Sequence, residues 1–228
     1  GRVVYLGAPG VVTVRELATG RETRVAATGL TVQSVVFRPG SRDVYVLAPT
    51  GGGASDVYRL GPGTPTRVTR GAGTKTNPQW LRGDHVLYGI DRQSFGIEDV
   101  RGGEPRVING SGVTVSADGS TVAWVGRDGG RNTIMVAAPG DNAPRAVVVT
   151  DDALSSPALS RDGRRVVFQR MPREDWELYV VDVATQAETR LTREIQHDVL
   201  PRFLGDNTVF ALMGEPRHRR SYVYDLAT

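Results

Sequence analysis

The sequence predicts an all-β fold, a β-propeller of four-stranded blades, and two observations support it. One is a hairpin pattern that recurs about every forty residues. The other is that no stretch of a dozen residues shows the apolar spacing of an amphipathic helix. The 28 glycines and 13 prolines among 228 residues agree with a soluble protein that has many tight turns.

Five copies of the hairpin align along the chain. In each copy an apolar run ends in a turn that contains Gly or Asp, and a second apolar run follows. Asp-Gly and Gly-Asp dipeptides supply the positive φ angles that tight hairpins need. The first strands end in Phe37, Trp80, Val115, Leu159 and Phe203, which lie 43, 35, 44 and 44 residues apart. This is the period of a propeller blade.

A second pair of strands follows the hairpin, and its pattern also repeats. Residues 177–182 lead through a short turn to residues 189–192, and residues 56–60 lead through a Gly-Pro-Gly turn to residues 66–69. Residues 12–25 show the same pattern at the start of the chain. Each repeat is therefore predicted to form four short strands, which we name a to d in chain order.

Stacking of these sheets on one another follows from their size. A four-stranded sheet cannot bury both of its faces alone, and radial stacking into a propeller leaves only short, protected edges. A β-helix or a β-sandwich is the competing architecture, although its repeats would be shorter or irregular in spacing.

The repeat places the whole chain, residues 1–228, in one propeller domain or a fragment of one, with about six blades. The first and last blades are expected to be incomplete, with strands b to d at the start of the chain and strands a to c at its end. We expect a fragment of a longer protein, and a six-bladed ring with two three-stranded blades is the alternative. The predicted blades are residues 2–27, 29–70, 71–110, 111–151, 152–194 and 195–228.

Composition excludes several classes of function. A net charge of +3 from 28 basic and 25 acidic residues is too small and too mixed to predict nucleic-acid binding. The chain has no cysteine, which excludes disulfides and thiolate metal sites. No run of about 18 apolar residues predicts a membrane span.

The residues of the fifth repeat resemble a known family. Residues 156–168 read SPALSRDGRRVVF, and residues 177–182 and 190–192 follow as ELYVVD and RLT. This pattern resembles the TolB-type propeller repeat. The resemblance implies a bacterial periplasmic or secreted protein that binds a protein or a small ligand. It also admits the propeller part of a peptidase or amidohydrolase whose catalytic domain lies outside this chain.

Ligands of propellers usually bind where the b to c loops and the d to a loops meet, at the mouth of the central channel. In this sequence those loops predict binding residues: Lys75, Asn77, Asp151, Ser155, Trp176, Gln196, His197, Asp198, Arg217 and Arg219.

The polar residues around His197 and Asp198 allow three interpretations. Imidazole and carboxylate groups could hold a divalent metal, and the arginines near residue 217 could bind an anionic group. The plainer interpretation is a solvated loop with a carboxylate that hydrogen-bonds a neighbouring blade. We predict no metal and no cofactor. Trp176 is the tryptophan that we expect to be partly exposed to a partner.

Catalytic motifs are not recognisable. A serine nucleophile of the hydrolase type needs a Gly-x-Ser-x-Gly elbow between a strand and a helix, and the sequence has neither. Residues 51–53 are three glycines without the Lys-Ser or Lys-Thr of a phosphate-binding loop. The prediction is a non-catalytic binding scaffold.

Overall fold

The computed structural model describes residues 1–8, 11–38, 40–193, 198–214 and 217–227, and for residues 198 and 199 it describes the backbone alone. Within these residues the protein is all-β, without an α-helix, and contains six antiparallel sheets. The chain divides into two compact units, residues 1–108 and 109–228. The prediction of one domain over residues 1–228 stays a prediction.

The first unit contains three sheets, each formed by strands that are consecutive in the chain. The first sheet has three strands and the next two have four. They are β1 (Arg2–Leu6), β2 (Val11–Glu16) and β3 (Glu22–Ala26); β4 (Ser34–Val36), β5 (Val44–Gly51), β6 (Ala54–Leu60) and β7 (Thr66–Arg67); and β8 (Thr76–Leu81), β9 (His85–Gly89), β10 (Ser94–Asp99) and β11 (Arg106–Asn109).

The second unit also contains three sheets. The fourth and fifth sheets have four strands and the sixth has three. They are β12 (Ser111–Val115), β13 (Val122–Asp128), β14 (Arg131–Ala137) and β15 (Arg145–Thr150); β16 (Ala153–Leu159), β17 (Arg165–Met171), β18 (Glu177–Asp182) and β19 (Glu188–Arg190); and β20 (Asp198–Phe203), β21 (Thr208–Met213) and β22 (Arg220–Asp225).

Within each sheet, strands that are consecutive in the chain lie side by side and pair antiparallel. The prediction of an all-β fold and the prediction of a repeat of short antiparallel strands are therefore confirmed. The number of blades in a ring and the way in which the ring closes stay predictions.

Packing between sheets explains the sequence of the central strands. In the fifth sheet, Val166 and Phe168 pack into a core with residues of the fourth sheet. Val167 lies between them in the sequence and packs with Val209 of the sixth sheet. Successive side chains of a strand point to opposite faces. A strand covered on both faces is therefore a continuous apolar run rather than an alternating one.

The turn between the first and second strands has the same hydrogen bonds in the fourth and fifth sheets. The hydroxyls of Ser116 and Ser160 donate to Asp118 and Asp162 at 2.8 and 2.7 Å. The serine oxygens accept from the backbone N–H groups of Thr121 and Arg165 at 3.0 and 2.9 Å. The Ser-x-Asp-Gly pattern therefore stabilises the same turn in both repeats.

An aspartate ends the third strand in several sheets and holds the turn that follows. Asp182 Oδ1 accepts from the backbone N–H groups of Ala184 and Thr185 at 3.0 and 2.8 Å. Asp99 Oδ1 accepts from the backbone N–H of Arg101 at 2.9 Å. The hydrogen bond from the Arg101 guanidinium, followed by this backbone bond, lowers the pKa of Asp99 to about 2.

Gly163→Ala tests the close packing of the repeated turn. Gly163 has a φ of 72°, and a Cβ there would lie 2.7 Å from Thr121 Oγ1. Gly129 has a φ of 55°, with no atom within 4 Å of a Cβ. A Cβ at a left-handed φ strains the backbone, and this strain alone predicts a loss of about 1 kcal/mol of unfolding free energy for Gly129→Ala. The added clash predicts about 2 to 3 kcal/mol for Gly163→Ala. Urea denaturation measures both, and equal losses would contradict the packing argument.

Asp99→Asn tests the low pKa of the turn aspartate. The folded-state pKa of Asp99 is below its ordinary value of 3.8. The carboxylate therefore stabilises the fold at neutral pH, and this contribution is lost as the pH falls from about 4 to about 2. The variant should be less stable at pH 7 and should lose less stability between pH 4 and pH 2. Urea midpoints across this range measure the difference, with Asp128→Asn as the control for removal of one exposed carboxylate.

Candidate functional site

The fifth sheet carries a groove at the end where β17 passes to β18. Its volume is about 670 Å³. The loop between β17 and β18 forms one side, and Arg190 and Arg193, at the end of β19 and after it, form the other. The groove is lined by Pro172, Arg173, Glu174, Asp175, Glu177, Arg190 and Arg193. Three arginines and three acids therefore meet in a lining of balanced formal charge.

Glu177 is the buried acid of this groove, and its residue is 4% exposed. Its Oε1 accepts from Arg190 Nη2 at 2.6 Å, and its Oε2 accepts from the Thr192 hydroxyl at 2.6 Å. Thr192 Oγ1 accepts in turn from the backbone N–H of Leu178 at 3.0 Å. Such charge-assisted bonds offset the cost of burying a carboxylate.

The second sheet repeats this arrangement with other residues. Asp56 is fully buried at the corresponding position of β6. Its Oδ2 accepts from Arg67 Nε at 2.7 Å, and its Oδ1 accepts from the Thr69 hydroxyl at 2.8 Å. Thr69 Oγ1 accepts from the backbone N–H of Val57 at 2.9 Å. We call this arrangement the carboxylate clamp: Asp56, Arg67 and Thr69 in the second sheet, and Glu177, Arg190 and Thr192 in the fifth.

Lys75 is part of the clamp in the second sheet rather than of a surface. It is the only lysine in the sequence, and its residue is 1% exposed. Its Nζ lies 2.7 Å from Asp56 Oδ1 and donates to the backbone carbonyls of Ser55 and Gly71. The Tyr88 ring centroid lies 5.0 Å from the ammonium. The ammonium is not available to a ligand, and the prediction of Lys75 as a binding residue is corrected to a structural role.

Glu98 holds the start of the loop that leads to Lys75. Its two carboxylate oxygens accept from the backbone N–H groups of Arg70 and Gly71 at 2.6 and 3.2 Å. A Cβ at Gly71 would lie 2.5 Å from the Tyr88 hydroxyl, so the loop passes too close for any other residue. Burial, followed by the charge of Glu98, raises the pKa of Tyr88. This loop is therefore held at both of its ends.

The first strands of four sheets share a bulge, and several of the predicted binding residues lie at it or next to it. Asn77, Gly112, Ser156 and Leu200 have φ angles of 46°, 62°, 49° and 55°. The pairing register shifts at each of these positions. Bulges of this kind re-aim neighbouring side chains and are common beside functional sites.

The other predicted residues within the described part of the chain lie in different places. Asn77 is exposed on its bulge. Asp151 is exposed and pairs with Arg131 at 3.1 Å. The Ser155 hydroxyl is partly buried, 3.2 Å from that of Ser156. Trp176 is half-buried between the groove loop and Glu177, and Arg217 and Arg219 are exposed near the start of β22.

Three predicted residues cannot be assigned to the groove. Gln196 and His197 lie outside the described residues, and Asp198 is described as the first backbone residue of β20. Their proposed binding role stays a prediction. Among the residues that the structure describes, no group of three potential metal ligands lies together.

The carboxylate clamp is the feature that the sequence reasoning missed. A signal is present in the sequence, because each of the two Arg-x-Thr segments follows a strand that has an acid at or near its start. In the sequence, the Arg-Leu-Thr segment supports the family resemblance but indicates no physical role. The spacing alone did not show that its Arg and Thr side chains meet one carboxylate.

Lys75→Met tests the buried ion pair of the second sheet. The variant removes the fully buried cation of Asp56 and leaves the carbonyls of Ser55 and Gly71 without the hydrogen bonds from Nζ, so we expect a loss of about 3 kcal/mol of unfolding free energy. Arg67→Met removes the other, half-exposed cation of the same carboxylate and should cost about 1 kcal/mol. Urea denaturation compares the two variants. A loss below that of Arg67→Met would show that the ammonium does not stabilise Asp56.

No protein-family model matches the sequence, and no functionally curated protein matches it. No helix in the described residues is long and apolar enough to cross a membrane. Similarity to solved structures, in contrast, covers nearly the whole chain.

The solved structures that resemble this chain include TolB proteins and enzymes. A structure described as TolB from Agrobacterium tumefaciens is 17% identical, with a TM-score of 0.56, over 96% of this chain and 86% of that one. Oligogalacturonate lyase from Vibrio parahaemolyticus is 13% identical, with a TM-score of 0.66, over 98% of this chain and 74% of that one.

A puromycin-hydrolysing peptidase from Mycobacterium tuberculosis is also similar. It is 16% identical, with a TM-score of 0.66, and the match covers 100% of this chain and 41% of that one. At sequence identities this low, the similarity establishes the fold and nothing about function. The fold that these structures share with the chain is that of the TolB-like propellers.

Proposed function

We propose that this chain is a non-catalytic binding scaffold that takes a protein or a small ligand in the groove of the fifth sheet. The observation that carries the proposal is the groove itself, with a half-buried tryptophan beside it and exposed Arg173 and Arg193 at its rim. A rim of exposed charge around a partly desolvated interior is typical of recognition surfaces.

The two buried acids, Asp56 and Glu177, support a scaffold rather than a catalyst. Asp56 and Glu177 are each held by an arginine and a threonine, which stabilise the ionised carboxylate in one orientation. A general acid or base needs a proton that can be exchanged with substrate. In both clamps the carboxylate oxygens instead hold the fourth strand.

The second candidate is the propeller part of a larger hydrolase. The similarity to the peptidase favours it, since the match covers 41% of that protein's chain. In this case the groove would dock a substrate or a catalytic domain of the same polypeptide. For either function we propose a periplasmic or secreted location in a bacterium, which rests on the resemblance of the repeat to TolB.

A photo-crosslinker placed at position 173 tests the binding role in the native cells. Position 173 lies on the groove rim, and position 164 is the matched control because Arg164 is exposed in the turn at the other end of the same sheet. We expect a discrete adduct from position 173 and none from position 164. Mass spectrometry then identifies whether the adduct joins another protein, a small molecule or a distant part of the same polypeptide.

The outcomes separate the two functions. An adduct with a catalytic domain of the same polypeptide favours the hydrolase candidate, and an adduct with a separate molecule favours the scaffold. Equal labelling from positions 173 and 164 would contradict a binding role for the groove.

A further inference from the structure

A second groove lies within the first unit of the chain, where the first and second sheets border each other. Its volume is about 770 Å³, which is within the range of small-ligand sites. The first sheet contributes β3 and the loop after it, and the second sheet contributes the start of β5 and the turn after β6. The described lining consists of residues 24–26, 28, 42–44 and 60–64. We call it the Arg42 groove.

The buried part of this lining is apolar. Val44 and Leu60 are 7% and 4% exposed and belong to the core between the first and second sheets, against which Val25 packs. Beside them, the turn that begins at Gly61 carries no charged side chain, and a Cβ at Gly61 or Gly63 would meet no atom within 4 Å. The groove therefore offers apolar side chains and open backbone to a ligand.

The repeat loses an acid at this groove. The turn aspartate of the other sheets, such as Asp182, follows the third-strand residue that pairs with a valine of the second strand. In the second sheet the matching pair is Val44 with Leu60, and the residue that follows is Gly61. A residue without charge thus stands where the third, fifth and sixth sheets have a carboxylate.

Asp43 is the acid among the described lining residues, and it has partners in its own sheet. Its Oδ2 accepts from the Tyr45 hydroxyl at 3.2 Å and lies 3.8 Å from Arg59 Nη1. The negative charge of Asp43 is therefore partly balanced before a ligand enters.

The arginines at the groove give it a positive potential. Arg24 lines it from the first sheet and Arg42 from the second, and both residues are exposed. Arg2 adds a charge next to Arg42, because its Nη1 donates to the Arg42 carbonyl at 3.2 Å and its Nη2 to the Ser41 carbonyl at 2.6 Å. These two bonds also fasten the turn before β5 to the first sheet. The backbone of Arg42 is thereby held in place beside the apolar lining.

We propose that the Arg42 groove binds a small carboxylic acid with an apolar body, whose carboxylate pairs with Arg42 and whose body lies against Val44 and Leu60. A guanidinium matches a carboxylate with two parallel hydrogen bonds. Apolar walls with a few placed polar groups are typical of small-ligand sites. This site goes beyond the binding role proposed for the fifth sheet, since it lies in the other unit and uses other residues.

Octanoate is the probe for this site, and octanamide, which has the same apolar body without a charge, is its control. Each is titrated into the whole chain and followed by the amide NMR signals of Val44 and Gly61. We expect saturable shifts with octanoate and a dissociation constant of about 1 mM, as for a small ligand with one ion pair. Octanamide should bind at least about 10-fold more weakly, because it cannot form the charge-assisted bonds.

Arg42→Gln tests the cation. The variant keeps the backbone carbonyl that Arg2 binds, so it should remain folded. Its affinity for octanoate should fall at least about 10-fold. Arg164→Gln is the matched control, because Arg164 is an exposed arginine in the corresponding turn of the fifth sheet. This control should bind octanoate as the wild type does.

Ala26→Trp tests the groove itself. Ala26 lines the groove at an exposed position, so the larger side chain can fill the space without entering the core. Binding of octanoate and of octanamide should weaken together, because both lose the apolar contact.

Four results would overturn the inference: no saturable shift of Val44 and Gly61 with octanoate, equal binding of octanoate and octanamide, unchanged octanoate binding by Arg42→Gln, or unchanged octanoate binding by folded Ala26→Trp. Crosslinking from position 173 reports on the fifth sheet alone. A specific adduct there with any of these four results leaves the proposed function standing without the second site.

Discussion

The buried carboxylate at or near the start of the third strand, Asp56 in the second sheet and Glu177 in the fifth, determines how the fourth strand is held. Placing Asp56 or Glu177 in the interior costs several kcal/mol unless partners are fixed around it. The fourth strand supplies those partners through Arg67 and Thr69 or Arg190 and Thr192. Strands β7 and β19 have two and three residues, so their backbone ladders alone are short. The clamp therefore fastens the fourth strand to the third, and the connection that follows starts from a defined position.

The groove lies beside the carboxylate clamp of the fifth sheet, and Lys75 lies beside the clamp of the second sheet. In the second sheet the connection after Thr69 returns to the clamp, because Lys75 binds Asp56 and Glu98 binds Arg70 and Gly71. The carboxylate is then enclosed by its own chain. In the fifth sheet the corresponding carboxylate lines a groove. Two repeats that share the clamp therefore differ in what surrounds it, and such differences at loop positions are where propeller function resides.

The regular parts of the fold could be predicted because their signals are local. A Ser-x-Asp-Gly turn and an apolar run such as Val166 to Phe168 each lie within a few consecutive residues, and their recurrence gives the repeat. The clamp could not be predicted in the same way, since Asp56 and Lys75 lie 19 positions apart and on different elements. A lysine in a Gly-rich loop looks exposed when the carboxylate beneath it is unknown. Residues around His197 could be predicted as polar loop positions, but their contacts depend on tertiary structure.

Lysine occurs at a single position of this chain, and the contacts around that position explain why it is lysine rather than arginine. The chain has 28 basic residues, and Lys75 is the only one of them that is not arginine. At exposed positions either cation would serve, so a strong preference for arginine there carries no information about geometry. At position 75 the cation lies between one carboxylate, two carbonyls and an aromatic face. A guanidinium would need more donors satisfied in one plane. The exception to the arginine preference therefore marks a site shaped for an ammonium.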